Sequence, residues 1–132
     1  MCHVLKYSLL ALLLLVVACK ESPTGTPNGN SLVGNWSLTQ KTGGIGGSTT
    51  YPGSDIYILH ITNENGFVES RNDTITFSDR FITYIDTTYE SQVIDFVNSR
   101  RSSMVVSKVS SDSLSLWDGF IDGYFSFYTR VR

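Results

Sequence analysis

Hydrophobic residues from Leu32 to the end of the chain alternate with polar ones or cluster in short runs, without the 3.6-residue period of a helix. The runs are rich in Ile, Val, Tyr, Phe and Thr, the residue types that favour β-strands, and polar turn residues separate them. This pattern predicts eight strands: Leu32–Lys41, Asp55–Thr62, Phe67–Arg71, Thr74–Asp86 with a kink near Ser78–Arg80, Gln92–Asn98, Ser103–Val109, Ser113–Trp117 and Tyr124–Val131.

The connections between these segments are short and have turn composition, as at Asn65-Gly66 and Asp118-Gly119. Short connections join sequential antiparallel strands, whereas crossovers need longer ones. Eight short strands form either a sandwich or an up-and-down barrel, and the lack of long return connections favours the barrel. The predicted fold is therefore all-β, an up-and-down antiparallel eight-stranded β-barrel. Its strands are too short and too polar on both faces for a membrane-spanning barrel.

An unbroken apolar run, Leu9–Cys19, precedes this region; it follows Lys6 and stops at Lys20. A helix of that length rises about 16 Å, roughly half the hydrocarbon thickness of a bilayer. The run is too short to span a membrane comfortably, which favours a secretory signal peptide over a transmembrane anchor. We therefore predict a signal peptide at residues 1–18.

The end of the run, Val16-Val17-Ala18-Cys19, resembles a bacterial lipobox. The resemblance implies cleavage before Cys19 and acylation of that cysteine, which would anchor the chain to a membrane. Lys20 follows the cysteine in place of the aspartate typical of inner-membrane retention, which implies the outer membrane, at its periplasmic face or on the cell surface. The alternative is an ordinary signal peptide with a cysteine near its cleavage site.

Cleavage before Cys19 would remove Cys2 and leave one cysteine, so no intramolecular disulfide could form. The residues that follow are polar, contain Pro23 and Pro27, and cannot bury a core. The sequence thus predicts three regions: the signal peptide at 1–18, a lipidated flexible tether at 19–31 and the barrel domain at 32–132.

The opening strand carries Gly34-Asn35-Trp36, and the last strand carries Arg130. Gly34-Asn35-Trp36 resembles the Gly-x-Trp signature of lipocalins and related calycin barrels, and Arg130 lies where the last strand of that family carries an arginine. The whole pattern resembles small bacterial lipocalin-like lipoproteins. The resemblance covers nearly all of Leu32–Arg132, although the chain is shorter than typical lipocalins and lacks their Thr-Asp-Tyr motif. It implies that Trp36 closes one end of the barrel beneath Arg130, with Gly34 as part of this structural plug.

The resemblance further implies a lumen that binds a small apolar or amphipathic ligand. In lipocalins the loop between the first two strands acts as a lid, so the resemblance places Gly43–Gly47 at the mouth, where the loop either covers a ligand or only connects the strands. The predicted ligand-binding residues are Trp36, Leu38, His60, Tyr124 and Tyr128. Side chains alone can also fill an eight-stranded barrel, so the alternative is a filled barrel that acts as a protein-interaction or envelope-assembly module. The sequence identifies no particular protein partner.

Catalytic and metal signatures are weak in this sequence. Gly43–Gly47 precedes residues without helical period, which argues against a phosphate-binding loop. His60 is the only histidine after the signal peptide, and no Gly-x-Ser-x-Gly elbow accompanies it. Asp112, Asp118 and Asp122 have turn context and no calcium-loop spacing. We therefore expect no enzyme activity, no cofactor and no metal.

Charge also bears on the class of partner. The chain has 10 Lys and Arg against 12 Asp and Glu, a formal net charge of −2, and only Arg100-Arg101 forms a basic pair. Nucleic acid needs a concentrated basic surface, so we expect no nucleic-acid binding.

Replacing Cys19 with Ser tests the lipid anchor. Each buried methylene of an acyl chain contributes about 0.8 kcal/mol to membrane binding, so loss of the chains should release the protein. We expect Cys19→Ser to lower the mass by the acyl groups and to reduce the membrane-bound fraction. Cys2→Ser is the control and should change neither. An unchanged mass and an unchanged membrane fraction for Cys19→Ser would refute lipidation.

Overall fold

The structure is a computed structural model, and it describes residues 31–132. The predicted signal peptide at 1–18, the lipidation site Cys19 and almost all of the tether lie outside the described residues. Residues 31–132 contain no helix long and apolar enough to cross a membrane. They form nine strands: β1 Gly34–Gly43, β2 Ser48–Thr50, β3 Tyr57–Ile61, β4 Gly66–Arg71, β5 Thr74–Asp86, β6 Ser91–Phe96, β7 Met104–Val109, β8 Ser113–Trp117 and β9 Tyr124–Arg130.

The strands make one antiparallel sheet in the order β2-β1-β3-β4-β5-β6-β7-β8-β9, which closes because β1 also pairs with β9. The short β2 pairs with Lys41–Gly43 and β3 with Gly34–Ser37, so both occupy the same edge of β1. The result is an eight-stranded up-and-down barrel with one extra strand. The predicted all-β fold is confirmed. The extra strand β2 lies just after the glycines predicted to lie at the mouth.

Strand β5 changes its pairing partner between Arg80 and Phe81. Residues up to Arg80 pair with β4, whereas Phe81 and those after it pair with β6. Asp79 lies at this point, buried, and its carboxylate accepts hydrogen bonds from the backbone N–H groups of Asn98 and Ser99 and from the Asn98 side chain. The carboxylate therefore fastens the β6–β7 connection, residues 97–103, to the middle of β5.

Toward the end where Trp36 and Phe67 lie, the interior is filled by the inward side chains of alternating strand positions. Phe67 is fully buried, and its ring makes edge-to-face contacts with Phe96, Phe77 and Phe81 at centroid distances of 5.0, 6.1 and 6.4 Å. Full burial of each large side chain stabilises the fold by about 1.5–3 kcal/mol. The core cluster consists of Trp36, Leu59, Ile61, Phe67, Phe81, Ile94, Phe96, Met104, Val106, Leu114, Leu116 and Tyr128.

The Asp79 network makes stability depend on pH. Burial of the Asp79 carboxyl opposes ionisation, but hydrogen bonds from Asn98, Ser99 and Arg80 outweigh it and lower its pKa from 3.8 to about 2. A folded-state pKa below the unfolded value means that this stabilisation is complete above about pH 4 and is lost as the pH falls toward 2.

We therefore expect Asp79→Asn to be less stable than the parent at pH 7 and to lose less stability between pH 4 and pH 2. Urea unfolding over a pH series measures both effects. Part of the acid sensitivity should remain because hydrogen bonds from Asn72 and Arg71 also lower the pKa of Asp55. The control is Asp122→Asn in an exposed turn, which should follow the parent curve. If Asp79→Asn lost as much unfolding free energy between pH 4 and pH 2 as the parent does, Asp79 would not be a source of the acid sensitivity.

Candidate functional site

One end of the barrel is closed by an arginine that stacks on a tryptophan. Trp36 and Arg130 are register partners on β1 and β9. The Arg130 guanidinium carbon lies 4.0 Å from the centroid of the Trp36 ring, and Trp36 is fully buried. The indole Nε1 donates a hydrogen bond of 2.8 Å to the carbonyl of Leu32. A desolvated cation over an indole contributes about 2 kcal/mol.

The Arg130 side chain also ties the neighbouring chain segments to this closed end. Its Nη1 and Nη2 donate to the carbonyls of Val33 and Ser31, both at 2.8 Å, and its Nε donates to the carbonyl of Ser111. Three backbone carbonyls that no strand pairs with are thereby satisfied by one planar donor group. The structure thus has a specific geometric role for arginine here, which a lysine could not fill.

Gly34 is required by the same arrangement. Its φ is +146°, a conformation that L-residues with a side chain rarely adopt, and a Cβ at this position would overlap Nη1 of Arg130. The predicted plug residues Gly34, Trp36 and Arg130 therefore lie together in the structure. The spacing of Gly34 and Trp36 has a physical reason, because the glycine leaves room for the arginine that covers the indole.

A cavity of about 610 Å³ lies in the barrel toward the opposite, open end. It is bordered by the connections 51–56, 97–103 and 118–123, and its walls mix apolar with polar side chains. Leu38, Leu59 and Met104 provide apolar wall at the side of the core cluster. The lining residues are Leu38, Lys41, Thr50, Tyr51, Pro52, Tyr57, Ile58, Leu59, Glu69, Ser70, Thr76, Arg101, Ser102, Met104, Asp118, Phe120, Tyr124, Ser126 and Tyr128.

A bulge in β1 brings a lysine to this cavity. The pairing of β1 with β9 shifts between Leu38 and Gln40, so that Lys41 is opposite the inward Ser126. The Lys41 ammonium lies 4.9 Å from the centroid of the Tyr124 ring, which also lines the cavity. Without the bulge, strict alternation from Leu38 would direct Lys41 outward.

A second charged group in the cavity is an ion pair. Arg101, from the β6–β7 connection, donates from Nη1 and Nη2 to the two carboxylate oxygens of Glu69 on β4, at 2.7 and 2.9 Å. The guanidinium also lies over the rings of Phe77 and Phe96, 4.5 and 5.4 Å from their centroids. This bidentate pair stacked on aromatic rings has a fixed geometry.

Tyr128 lies beside the same ion pair. Its side chain is buried, and burial first, with the Glu69 charge second, raises its pKa well above the ordinary value. The hydroxyl therefore stays protonated at physiological pH and remains a hydrogen-bond donor. Because Tyr128 also lines the cavity, this donor is part of the candidate site.

Of the five predicted ligand-binding residues, three line the cavity, one is buried in the core and one lies on the outer wall. Leu38, Tyr124 and Tyr128 line the cavity. Trp36 is buried in the core beneath Arg130 and is not among the lining residues.

His60 differs from the prediction, because it is exposed on the outer wall. It is the register partner of Asn35, and its Nδ1 is hydrogen-bonded to the Asn35 side chain. Its neighbours Leu59 and Ile61 are the inward, buried residues, so alternation sends His60 outward.

The glycine-rich segment follows the end of β1 that pairs with Tyr124, a residue of the cavity lining. Residues Gly44 to Gly47 form a turn that joins β1 to β2, and the Gly44 N–H donates to the carbonyl of Gly123 at 3.3 Å. A Cβ on Gly43 would overlap that same carbonyl, so the close contact requires glycine. The turn packs against the β8–β9 connection, and Tyr51 and Pro52 of the next connection border the cavity.

Sequence reasoning missed Glu69 and Arg101. Phe67 is two positions before Glu69 on β4, so the pleat points both inward, and this signal was available in the sequence. Arg101 lies in a connection, where no periodicity predicts direction. Residues 31–132 contain no group of three or more His, Cys, Asp or Glu side chains arranged to hold a metal ion.

The fold and the site together define a closed up-and-down β-barrel with a ligand-sized cavity at one end. The chain matches no protein-family model, and neither a curated protein nor a solved structure is significantly similar to it.

Arg130→Lys tests the closed end. Lysine retains the charge but cannot donate to three carbonyls in a plane, so we expect a loss of about 2 kcal/mol in the free energy of unfolding. Urea unfolding monitored by tryptophan fluorescence measures it. The matched control is Arg132→Lys, two residues on and exposed, which should change stability by less than about 0.5 kcal/mol. Equal stability of the two variants would contradict the role of Arg130.

Proposed function

We propose that this protein is a lipid-anchored envelope lipoprotein whose barrel binds a small amphipathic ligand in the cavity. The observation that carries the proposal is the cavity of about 610 Å³ at the open end. Sites for small molecules typically have volumes of about 300–1,000 Å³. A lumen of this size leaves space that the side chains of an eight-stranded barrel do not fill.

The walls of the cavity support an amphipathic ligand over a purely apolar one. Leu38, Leu59 and Met104 offer apolar contact, whereas Glu69 and Arg101 offer hydrogen bonds and charge. Apolar area supplies affinity in such sites, and a few placed polar groups fix the orientation of the ligand. A molecule with one apolar and one polar part would match both surfaces.

The alternative, a filled barrel that acts as an interaction module, expects an outer apolar patch and no cavity. An outer aromatic patch is present: Trp117 stacks on Phe125 at 5.8 Å, Phe125 on Phe127 at 6.5 Å, and Tyr89 meets Trp117 edge-on at 5.5 Å. The patch favours a protein or membrane contact in addition to the cavity. The cavity itself argues against a filled lumen, so ligand binding is the function that we propose.

The proposal is for binding without catalysis. His60, the only histidine after the predicted signal peptide, is exposed on the outer wall and hydrogen-bonded to Asn35. The His60 side chain points away from the cavity, so it is not placed to act as a general base for a ligand bound there.

The anchor and location rest on the sequence. The lipobox at Val16-Val17-Ala18-Cys19 supports acylation, and Lys20 supports the outer membrane. The residues from Lys20 to Ser31 could extend at most about 40 Å, which would keep the barrel close to the membrane that holds the acyl chains.

Native mass spectrometry tests ligand binding directly. The chain from Ser31 onward contains the core cluster found in the described residues and both closing strands, so we expect it to fold by itself. Purified from its host without detergent, it should carry a small molecule that organic extraction releases. A domain that carries no molecule and also fails to bind the uncharged fluorophore N-phenylnaphthylamine would refute the proposal.

A substitution that fills the cavity tests whether the ligand binds there. Ser126 is small, buried and part of the cavity wall, so Ser126→Phe should occupy the ligand volume. We expect N-phenylnaphthylamine affinity to fall on the order of tenfold or more, measured by fluorescence titration. The matched control is Thr129→Phe on the same strand, which is exposed and outside the cavity lining and should bind as the parent does. Equal affinity for both variants would place the probe elsewhere.

A further inference from the structure

The charged residues that line the cavity balance each other. Lys41 and Arg101 are cationic, Glu69 and Asp118 are anionic, and the four give the lining no net charge. Of these, Glu69 and Arg101 form a direct ion pair with two hydrogen bonds, and their side chains are 25% and 28% exposed. The pair is therefore compensated and yet within reach of a bound molecule.

The Arg101 guanidinium is held in place from two directions. The centroids of the Phe77, Phe96 and Phe67 rings lie 4.5, 5.4 and 5.7 Å from the guanidinium carbon. The Glu69 carboxylate accepts a hydrogen bond from Nη1 of the same group. The connection that carries Arg101 is fastened by the Asp79 carboxylate through Asn98 and Ser99. Because the group is fixed, the entropy cost of ordering it is already met before any ligand arrives.

Hydrogen-bonding capacity remains in this group. A guanidinium has five N–H donors, and Glu69 takes two of them. Each Glu69 oxygen has a further lone pair, and the protonated Tyr128 hydroxyl is close enough to feel the Glu69 charge. The wall thus offers donors and acceptors side by side, which match hydroxyl or amide groups because those groups both donate and accept.

We propose that the cavity selects uncharged amphiphiles, with hydroxyl or amide head groups bound by Glu69 and Arg101, over fatty-acid anions and over cationic amphiphiles. The inference rests on the proposed function and specifies its ligand class. An anionic head group bound to Arg101 would also lie close to the negative charge of Glu69. A cationic head group bound to Glu69 would lie close to the positive charge of Arg101. Each ion would therefore meet a like charge at close range. An uncharged head group avoids that repulsion and leaves the ion pair intact.

The test uses three probes that share one acyl or alkyl chain and differ in the head group. Monododecanoylglycerol is uncharged, dodecanoate is anionic and dodecyltrimethylammonium is cationic. Titration calorimetry on the parent domain, with each probe below its micelle concentration, gives the order of affinity. We expect monododecanoylglycerol to bind on the order of tenfold more tightly than either ion.

The outcomes separate the inference from the proposed function. Binding of all three probes with an ion equal to or tighter than the glyceride overturns the head-group inference and leaves ligand binding standing. Binding of none of the three overturns the head-group inference, and it overturns ligand binding as well when the domain carries no co-purified molecule and N-phenylnaphthylamine also fails to bind. The parent domain decides between these outcomes without any variant.

Two substitutions assign the selectivity to the pair. Glu69→Gln leaves Arg101 stacked but uncompensated, and dodecanoate affinity should rise on the order of tenfold. Arg101→Gln leaves the carboxylate uncompensated and should favour dodecyltrimethylammonium. If Arg101→Gln does not fold, Glu69→Gln alone carries the assignment because it keeps the aromatic stacking of Arg101.

The matched control breaks an ion pair outside the cavity lining. Asp55 pairs with Arg71 at the exposed surface, so Asp55→Asn should keep the parent ranking. Thermal unfolding checks that each variant is folded. An unchanged dodecanoate affinity in a folded Glu69→Gln would overturn the role of the pair.

Discussion

The pairing of β1 with β9 is the constraint on which the rest of the molecule depends. It joins segments at the two ends of the domain, and the Arg130–Val33 hydrogen bond spans 97 residues of sequence. Such a long closure costs chain entropy, although the cost rises only slowly with loop length. Stacking of Arg130 on Trp36 and three hydrogen bonds to carbonyls offset it. Closure also removes the free strand edges on which an open sheet would aggregate.

That closure determines where space remains. The indole of Trp36 and the ring cluster around Phe67 fill the interior toward the closed end. At the open end the inward position on β9 is Ser126, whose small side chain cannot reach across the barrel. The same strands therefore pack densely where their inward side chains are large and leave a cavity where those side chains are small.

The sequence patterns predict the barrel well because alternation is a backbone property of strands. They miss β2, since Ser48–Thr50 has three exposed polar residues and no hydrophobic signal. They misplace His60 because the run from Ile56 to Ile61 has apolar residues in both phases, and only burial of Leu59 and Ile61 shows which phase faces inward. Alternation predicts strands but does not set their phase in such a run.

The inward direction of Glu69 follows from strand alternation, but its pairing with Arg101 could not be predicted, because Arg101 lies 32 residues away in a connection without periodicity. Replacing an ion pair in an interior with apolar side chains of similar volume is often neutral or stabilising. The Glu69 and Arg101 side chains keep 25% and 28% of their surface exposed between the aromatic cluster and the cavity. The proposed ligand recognition would give this pair a role, because a compensated pair keeps both donors and acceptors available while adding no net charge to the wall. Glu69 and Arg101 are therefore the residues on which the proposed ligand selectivity depends.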